Sequence, residues 1–345
     1  MGLRAKIKDA FQFLKVLDYQ RISNAVGLYR SYQKAKKKVP TETRFFPAAL
    51  NIEPTTSCNL RCPQCPSGLR AFTRPTGMLQ YELAEKVVSE LSPNLLFLTL
   101  YFQGEPYLNP DFNKIVRLAA NKRIYTITSS NGHFFKNDEI AEQVVNSGLN
   151  RLIISIDGVT QESYGHYRIG GQLDKVLAGT KAILEAKKRL RKSTPYVVWQ
   201  FIVFKHNAHE LPAIKKLAKQ YKVDGLQIKT AQVYDFETGD DWIPDDENLS
   251  RYKKIAGKFV FKNSLLNHCW KMWHSAVVTW DGGVVPCCFD KDGKHNFGNL
   301  NENSFAEIWQ GRKYMGFRQK LFIGRKEIDI CKNCSEGTKV FVSRS

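Results

Sequence analysis

From residue 49 to about residue 230 the chain alternates between two hydrophobic patterns. Short, dense apolar runs recur at 49–55 (ALNIEPT), 95–102 (LLFLTLYF), 124–130 (IYTITSS), 151–157 (RLIISID), 196–204 (YVVWQFIVF) and 225–229 (GLQIK). They are rich in β-branched and aromatic residues, and several are apolar throughout, as parallel strands buried on both faces are. Between them, near 80–91, 111–121, 138–147, 172–190 and 209–221, apolar positions recur at helical spacing with polar residues opposite. This alternation predicts an α/β fold whose parallel strands form a partial (β/α)6 barrel. A complete eight-fold barrel usually takes about 250 residues, more than this region offers.

Two segments break the alternation. Residues 1–48 precede it as a basic helical extension, in which Leu3, Ile7, Phe11 and Leu14 recur at helical spacing among Arg4, Lys6, Lys8 and Lys15. KAKKKVP, from Lys34 to Pro40, reads as the link into the folded body. After Lys229 the acidic, turn-rich DFETGDDWIPDDEN intervenes, and residues 233–345 read as a linker and a smaller Cys-rich domain. The partial barrel would then span 49–232.

Composition narrows the class. The 345 residues are 43% hydrophobic and 25% charged, as in a globular protein. No apolar run approaches the ~18 residues of a membrane span. The N-terminus lacks the unbroken apolar stretch and cleavage site of a secretory signal. The expectation is a cytoplasmic protein, in which clustered cysteines bind metal more often than they pair. The net charge is +19, and residues 1–45 alone hold eleven Lys or Arg against three acidic residues. The basic helix admits two readings. Its apolar stripe packs on the barrel, which is the reading expected, or it makes peripheral contact with an anionic membrane. Nucleic acid is an unlikely partner: basic charge is non-specific, and no nucleic-acid-binding signature is present.

The chemistry lies in the cysteines. SCNLRCPQCP places Cys58, Cys62 and Cys65 in a C-x3-C-x2-C pattern directly after the first strand, at the strand end where α/β folds gather their chemistry. Three thiolates are one too few for a closed tetrahedral zinc site. On a cubane iron–sulfur cluster they leave one iron free for another ligand.

This triplet, at this place in such a fold, resembles the radical S-adenosylmethionine (SAM) superfamily. The resemblance implies that Cys58, Cys62 and Cys65 hold a 4Fe–4S cluster whose fourth iron chelates SAM. One electron then cleaves SAM to methionine and a 5′-deoxyadenosyl radical, which takes a hydrogen atom from the substrate. It implies a reductant such as flavodoxin or ferredoxin. Gly104, Glu105 and Pro106, after the second strand, match the motif that contacts the SAM amino group. Ser155, in SIDG at the end of the fourth strand, and Arg168 after it match the residues that bind the SAM carboxylate. SSNG (129–132) ends the third strand and is expected to face the same site. One position departs from the family: Gln64 stands where relatives often carry an aromatic residue.

The C-terminal cysteines are Cys269, Cys287, Cys288, Cys331 and Cys334. Four thiolates suit zinc or an iron–sulfur cluster equally. The D-G-x-V-x-P-C stretch at 281–287, the GNL at 298–300 and the S-x-x-E-I-W at 304–309 resemble a SPASM or "twitch" auxiliary-cluster domain. That resemblance implies a second 4Fe–4S cluster on Cys269, Cys287, Cys331 and Cys334, with Cys287 preferred to Cys288 and Gly282–Gly283 turning a hairpin. Asp290 reads as a turn residue and not as a catalytic one. The substrate stays open among sugars, amino alcohols, lipid-linked small molecules and peptides. The rival reading is a non-catalytic iron–sulfur or zinc protein that binds nucleic acid.

Overall fold

The computed structural model describes residues 3–37, 42–237, 241–262, 265–336 and 340–344. Six strands run parallel in chain order: β1 (Ala49–Ile52), β2 (Phe97–Thr99), β3 (Tyr125–Ser130), β4 (Arg151–Ser155), β5 (Tyr196–Val203) and β6 (Gly225–Thr230). The helices between them fall where the periodicity places them, at Tyr81–Leu91, Phe112–Asn121, Asp138–Asn146, Leu173–Arg189 and Leu211–Tyr221. Their apolar faces, such as Ile115, Val116 and Ala119, are buried against the sheet. This is the α/β partial barrel expected. Among the described residues no helix is long and apolar enough to cross a membrane.

The chain beyond residue 232 adds to this sheet. After a separate hairpin of β7 (Tyr252–Ile255) and β8 (Lys258–Phe261) comes β9 (Ser275–Val278), which lies parallel to β1 with Leu50 opposite Ala276. β10 (Val284–Val285) returns antiparallel to β9 through the turn at Gly282, where φ is +88°. β11 (Phe341–Arg344) closes the far edge on β6. The sheet order is therefore β10-β9-β1-β2-β3-β4-β5-β6-β11. All four residues of β9 are buried. Its pairing satisfies the edge of β1 that would otherwise present unpaired backbone groups.

Two helices precede the barrel, Leu3–Leu14 and Tyr19–Lys37. The first lies across the N-terminal ends of the strands. Phe13 stacks on Phe97 at 4.8 Å, and Asp9 bonds both the Tyr125 hydroxyl and Arg151. The helix packs as expected but not through the expected stripe. The barrel end presents Tyr125 and Arg151, so it receives the side that carries Asp9 and Phe13, and Ile7, Phe11 and Leu14 face solvent. The side chains of Leu3 and Arg4 lie outside the described residues, as do residues 38–40 of the expected link, whose first four residues, 34–37, instead continue the second helix.

Arg21 staples the second helix. Its buried guanidinium donates to the carbonyls of Val16 (2.8 Å), Ser92 (2.9 Å), Lys122 (2.8 Å) and Arg123 (2.6 Å). Ser92 and Lys122 end barrel helices, where a cation complements the helix dipole. Arg21→Ala is expected to cost about 1–3 kcal/mol in urea unfolding, the penalty for buried acceptors left unpaired.

Candidate active site

β1 delivers the chain to the cysteine loop, and the GEP segment is fastened to that loop. The Glu105 amide donates to the Ser57 carbonyl (2.8 Å), and the Gly104 amide donates to Ser67 Oγ (2.8 Å). Gly104 has φ +71°, and a Cβ there would come within 2.3 Å of the Thr55 oxygen. Glycine is required at this close approach. Pro106 opens a short 3-10 turn capped by Glu105.

Glu105 is buried, and its carboxylate accepts from the amides of Asn131 (2.7 Å) and Tyr107 (3.3 Å). Burial outweighs these bonds and pushes its pKa up to about 7. Asn131, from the SSNG segment, reaches Asn59 Oδ1 at 2.7 Å and Cys58 Sγ at 4.0 Å, so the end of β3 does face the thiols. Ser155 is the last residue of β4 and is buried.

Arg168 ends the helix Gln161–Tyr167. Its Nε and Nη2 both meet Asp157 Oδ2 at 2.6 Å, and its Nη1 lies 3.9 Å from Cys62 Sγ. Asp157 is fully buried and accepts the Ile202 amide at 2.7 Å. Burial pulls the guanidinium down, but Asp157 and Cys62 together hold it well above its usual value. Asp157 was missed in the sequence. Its signal was present, because it stands two residues after Ser155 at a strand end, and alternate residues share a face.

The thiols suit a metal cluster. All eight cysteines are free. Burial pushes Cys58 up to about 11 and also raises Cys62, which Arg168 partly offsets. Nitrogen donors approach the sulfurs: the Leu60 amide lies 3.4 Å from Cys58 Sγ, besides Asn131 and Arg168. Such N–H···S contacts are among the means by which proteins tune iron–sulfur clusters.

The second group of cysteines gathers around Arg325. This guanidinium offsets the burial that raises Cys269, Cys331 and Cys334, and its Nη2 lies 3.3 Å from Cys334 Sγ. Arg325 Nε is buried without a hydrogen-bond partner among the described residues, a donor that an inorganic sulfide would satisfy. Cys287 is raised by burial and by its neighbours Cys288 and Cys334. Cys288 instead receives Lys271 Nζ at 3.3 Å. No sequence signal singled out Arg325 or Lys271. Among the described residues no three Cys, His, Asp or Glu side chains close on a point as ligands of a single metal ion. Asp290 accepts the amides of Lys294 (2.8 Å) and His295 (2.9 Å), as a turn residue does.

A cavity of about 540 Å³ has Pro66, next to Cys65, and Ile330, next to Cys331, in its walls. Its walls include Phe72 and Thr73, which follow the first cysteines, and Tyr234, Phe289, Lys291 and Lys294 from the C-terminal region. Gln64 helps to close it by accepting the Tyr234 amide at 3.2 Å. A second tie is the fully buried Glu53, held by Arg74 at 2.6 and 2.8 Å. The Arg74 Nε donates to the Lys291 carbonyl at 3.1 Å, joining the cysteine loop to the auxiliary hairpin.

Comparison with known families decides the chemistry. Residues 52–218 match the model of the radical SAM superfamily, and residues 269–335 match that of the SPASM iron–sulfur cluster-binding domain. The chain belongs to the radical SAM superfamily. This radical SAM protein is 26% identical over 318 residues to the tungsten-containing aldehyde ferredoxin oxidoreductase cofactor-modifying protein of Pyrococcus furiosus, covering 83% of this chain and 86% of that one. It is 27% identical over 175 residues to the AdoMet-dependent heme synthase of Methanosarcina barkeri, about half of each chain. Its fold resembles that of anSMEcpe with bound AdoMet, with a TM-score of 0.62 and 20% identity over 85% of this chain and 88% of that one. It also resembles BtrN in complex with AdoMet and 2-DOIA, with a TM-score of 0.53 and 18% identity over 88% of this chain and all of that one. The protein is thus a radical SAM enzyme that uses SAM and iron–sulfur chemistry.

Proposed function

We propose that this enzyme cleaves SAM reductively at a 4Fe–4S cluster held by Cys58, Cys62 and Cys65. Cys269, Cys287, Cys331 and Cys334 hold a second 4Fe–4S cluster. The observation that carries the reading is the convergence, at the end of β1, of the cysteine loop, the GEP segment, Asn131 and Arg168. When bound, the cluster and SAM supply a 5′-deoxyadenosyl radical that takes hydrogen from the substrate. The protein's own residues position the reactants. Gly104, Glu105 and Pro106 form the wall for the SAM amino group. Ser155 and Arg168 receive the SAM carboxylate, and Asp157 holds Arg168 in place.

The substrate enters the cavity that Pro66 and Ile330 help to line. Its volume falls in the range of small-molecule sites, ~300–1,000 Å³. That size favours a sugar, an amino alcohol or a lipid-linked small molecule over a peptide. Its walls carry Asp290, Asp292 and Asp329 beside Lys291 and Lys294, so both donors and acceptors face a polar molecule. Held by Cys269, Cys287, Cys331 and Cys334, a second cluster would supply a route for electron transfer or a structural tie for the domain. A flavodoxin or ferredoxin supplies the first electron.

Electron paramagnetic resonance tests the SAM site. The dithionite-reduced protein should change its cluster signal when SAM is added, and the change should disappear in the Cys58→Ala/Cys62→Ala/Cys65→Ala variant. A wild-type signal indifferent to saturating SAM would sink the proposal.

A further inference from the structure

The two N-terminal helices carry an apolar surface that the barrel does not use. On Leu3–Leu14, Ile7, Phe11 and Leu14 recur at i, i+4 and i+7, so they form one ridge. On Tyr19–Lys37, Tyr19, Ile22, Val26 and Tyr29 form a second ridge. These seven side chains are 42–88% exposed. The other faces of both helices are occupied, by Asp9 and Phe13 on the first and by Arg21, Leu28 and Tyr32 on the second.

A second observation concerns charge. A recess of about 480 Å³ beside Phe11 is walled by Lys8, Gln12, Lys188, Arg191 and Lys192. The last three come from the far end of a barrel helix and the turn after it, and only the fold brings them to Phe11. Arg30, Lys34 and Arg44 line a groove beside Tyr19, Ile22 and Val26, with Glu42 the acidic residue in its walls. None of Lys8, Arg30, Lys34, Arg44, Lys188, Arg191 and Lys192 forms an ion pair among the described residues.

We propose that the first ridge docks on an anionic membrane, Ile7, Phe11 and Leu14 entering the headgroup boundary while Lys8, Lys188, Arg191 and Lys192 contact lipid phosphates. Apolar ridges flanked by long basic side chains are what such an interface selects: the rings and aliphatic groups enter, and the lysine stems reach back to the headgroups. A second copy of the chain would bring the same cations face to face. An acidic protein would satisfy the cations without needing the ridge. The location is also compatible with catalysis. The first helix crosses the N-terminal ends of the strands, whereas the cysteine loop follows the C-terminal end of β1, so docking leaves the cavity open.

Co-sedimentation of the full chain with phosphatidylcholine vesicles containing about one-third phosphatidylglycerol tests this, with pure phosphatidylcholine as control. The protein should sediment with the anionic vesicles at low salt and be released near ~1 M salt, where the Debye length is about 3 Å. Lys188→Glu/Arg191→Glu should weaken the partition about tenfold or more. Ile7→Ser/Phe11→Ser/Leu14→Ser should do the same, with an unchanged circular dichroism spectrum and melting temperature. Wild-type protein left in the supernatant at low salt overturns the proposal. So does binding that survives either variant. A lipid-free dimer that the triple serine variant converts to a monomer would assign the ridge to a second copy instead.

Discussion

Replacing Cys58, Cys62 and Cys65 together by alanine is expected to halve the iron bound after anaerobic reconstitution, from about eight to about four per chain. The loop carrying them follows β1, and the second group sits around Arg325 in another part of the chain. The two groups share no ligand, so removing the first should leave the second loaded. Formation of 5′-deoxyadenosine should be lost completely. The complementary variant, Cys331→Ala/Cys334→Ala, should also lose about four irons while retaining a SAM-responsive signal. A wild-type preparation that saturates at four irons with one zinc retained would show that the second site is a zinc site.

The second large effect is expected at Asp157. Asp157→Ala strands a largely buried guanidinium, 13% exposed, beside Cys62, and loss of one partner from a buried ion pair typically costs about 3–5 kcal/mol. Urea unfolding of the apoprotein measures it. Arg168→Ala removes the opposite charge and should cost a similar amount, whereas the double variant Asp157→Leu/Arg168→Met should recover most of the loss. SAM binding separates the two roles. Arg168→Ala should weaken it by ~1.5–3 kcal/mol, about 10- to 150-fold. Asp157→Ala should weaken it less if Arg168 still reaches the carboxylate. A cost below about 1 kcal/mol for Asp157→Ala would mean that water reaches the pair and that Asp157 does not position Arg168.

The sequence made the barrel legible because each strand is a dense apolar run and each helix repeats at 3.6 residues. Observed element ends differ from the expected ones by a few residues at most, as in β2, where pairing is confined to Phe97–Thr99 within the run 95–102. What it could not display was contact between distant segments. β9 is four residues long, and nothing in SAVV says that it will extend the sheet at β1. The N-terminal stripe misled for a related reason. Periodicity found the apolar face of Leu3–Leu14 but could not know that the barrel end offers Arg151 and Tyr125 hydroxyl, to which Asp9 is the better match. Cysteine spacing announced the metal chemistry. The groups that serve those cysteines, Asn131, Asp157, Arg325 and Lys271, are identified by their distances to sulfur or to Arg168, and apart from Asp157 within SIDG and Asn131 within SSNG no local pattern marks them.

The measurement that bears most directly on the central claim is chromatography of 5′-deoxyadenosine after anaerobic incubation of reconstituted enzyme with dithionite and SAM. The account predicts that wild-type protein forms 5′-deoxyadenosine and methionine over successive turnovers, and that the Cys58→Ala/Cys62→Ala/Cys65→Ala variant forms neither. A fully iron-loaded, reduced wild-type enzyme that leaves SAM intact would contradict it.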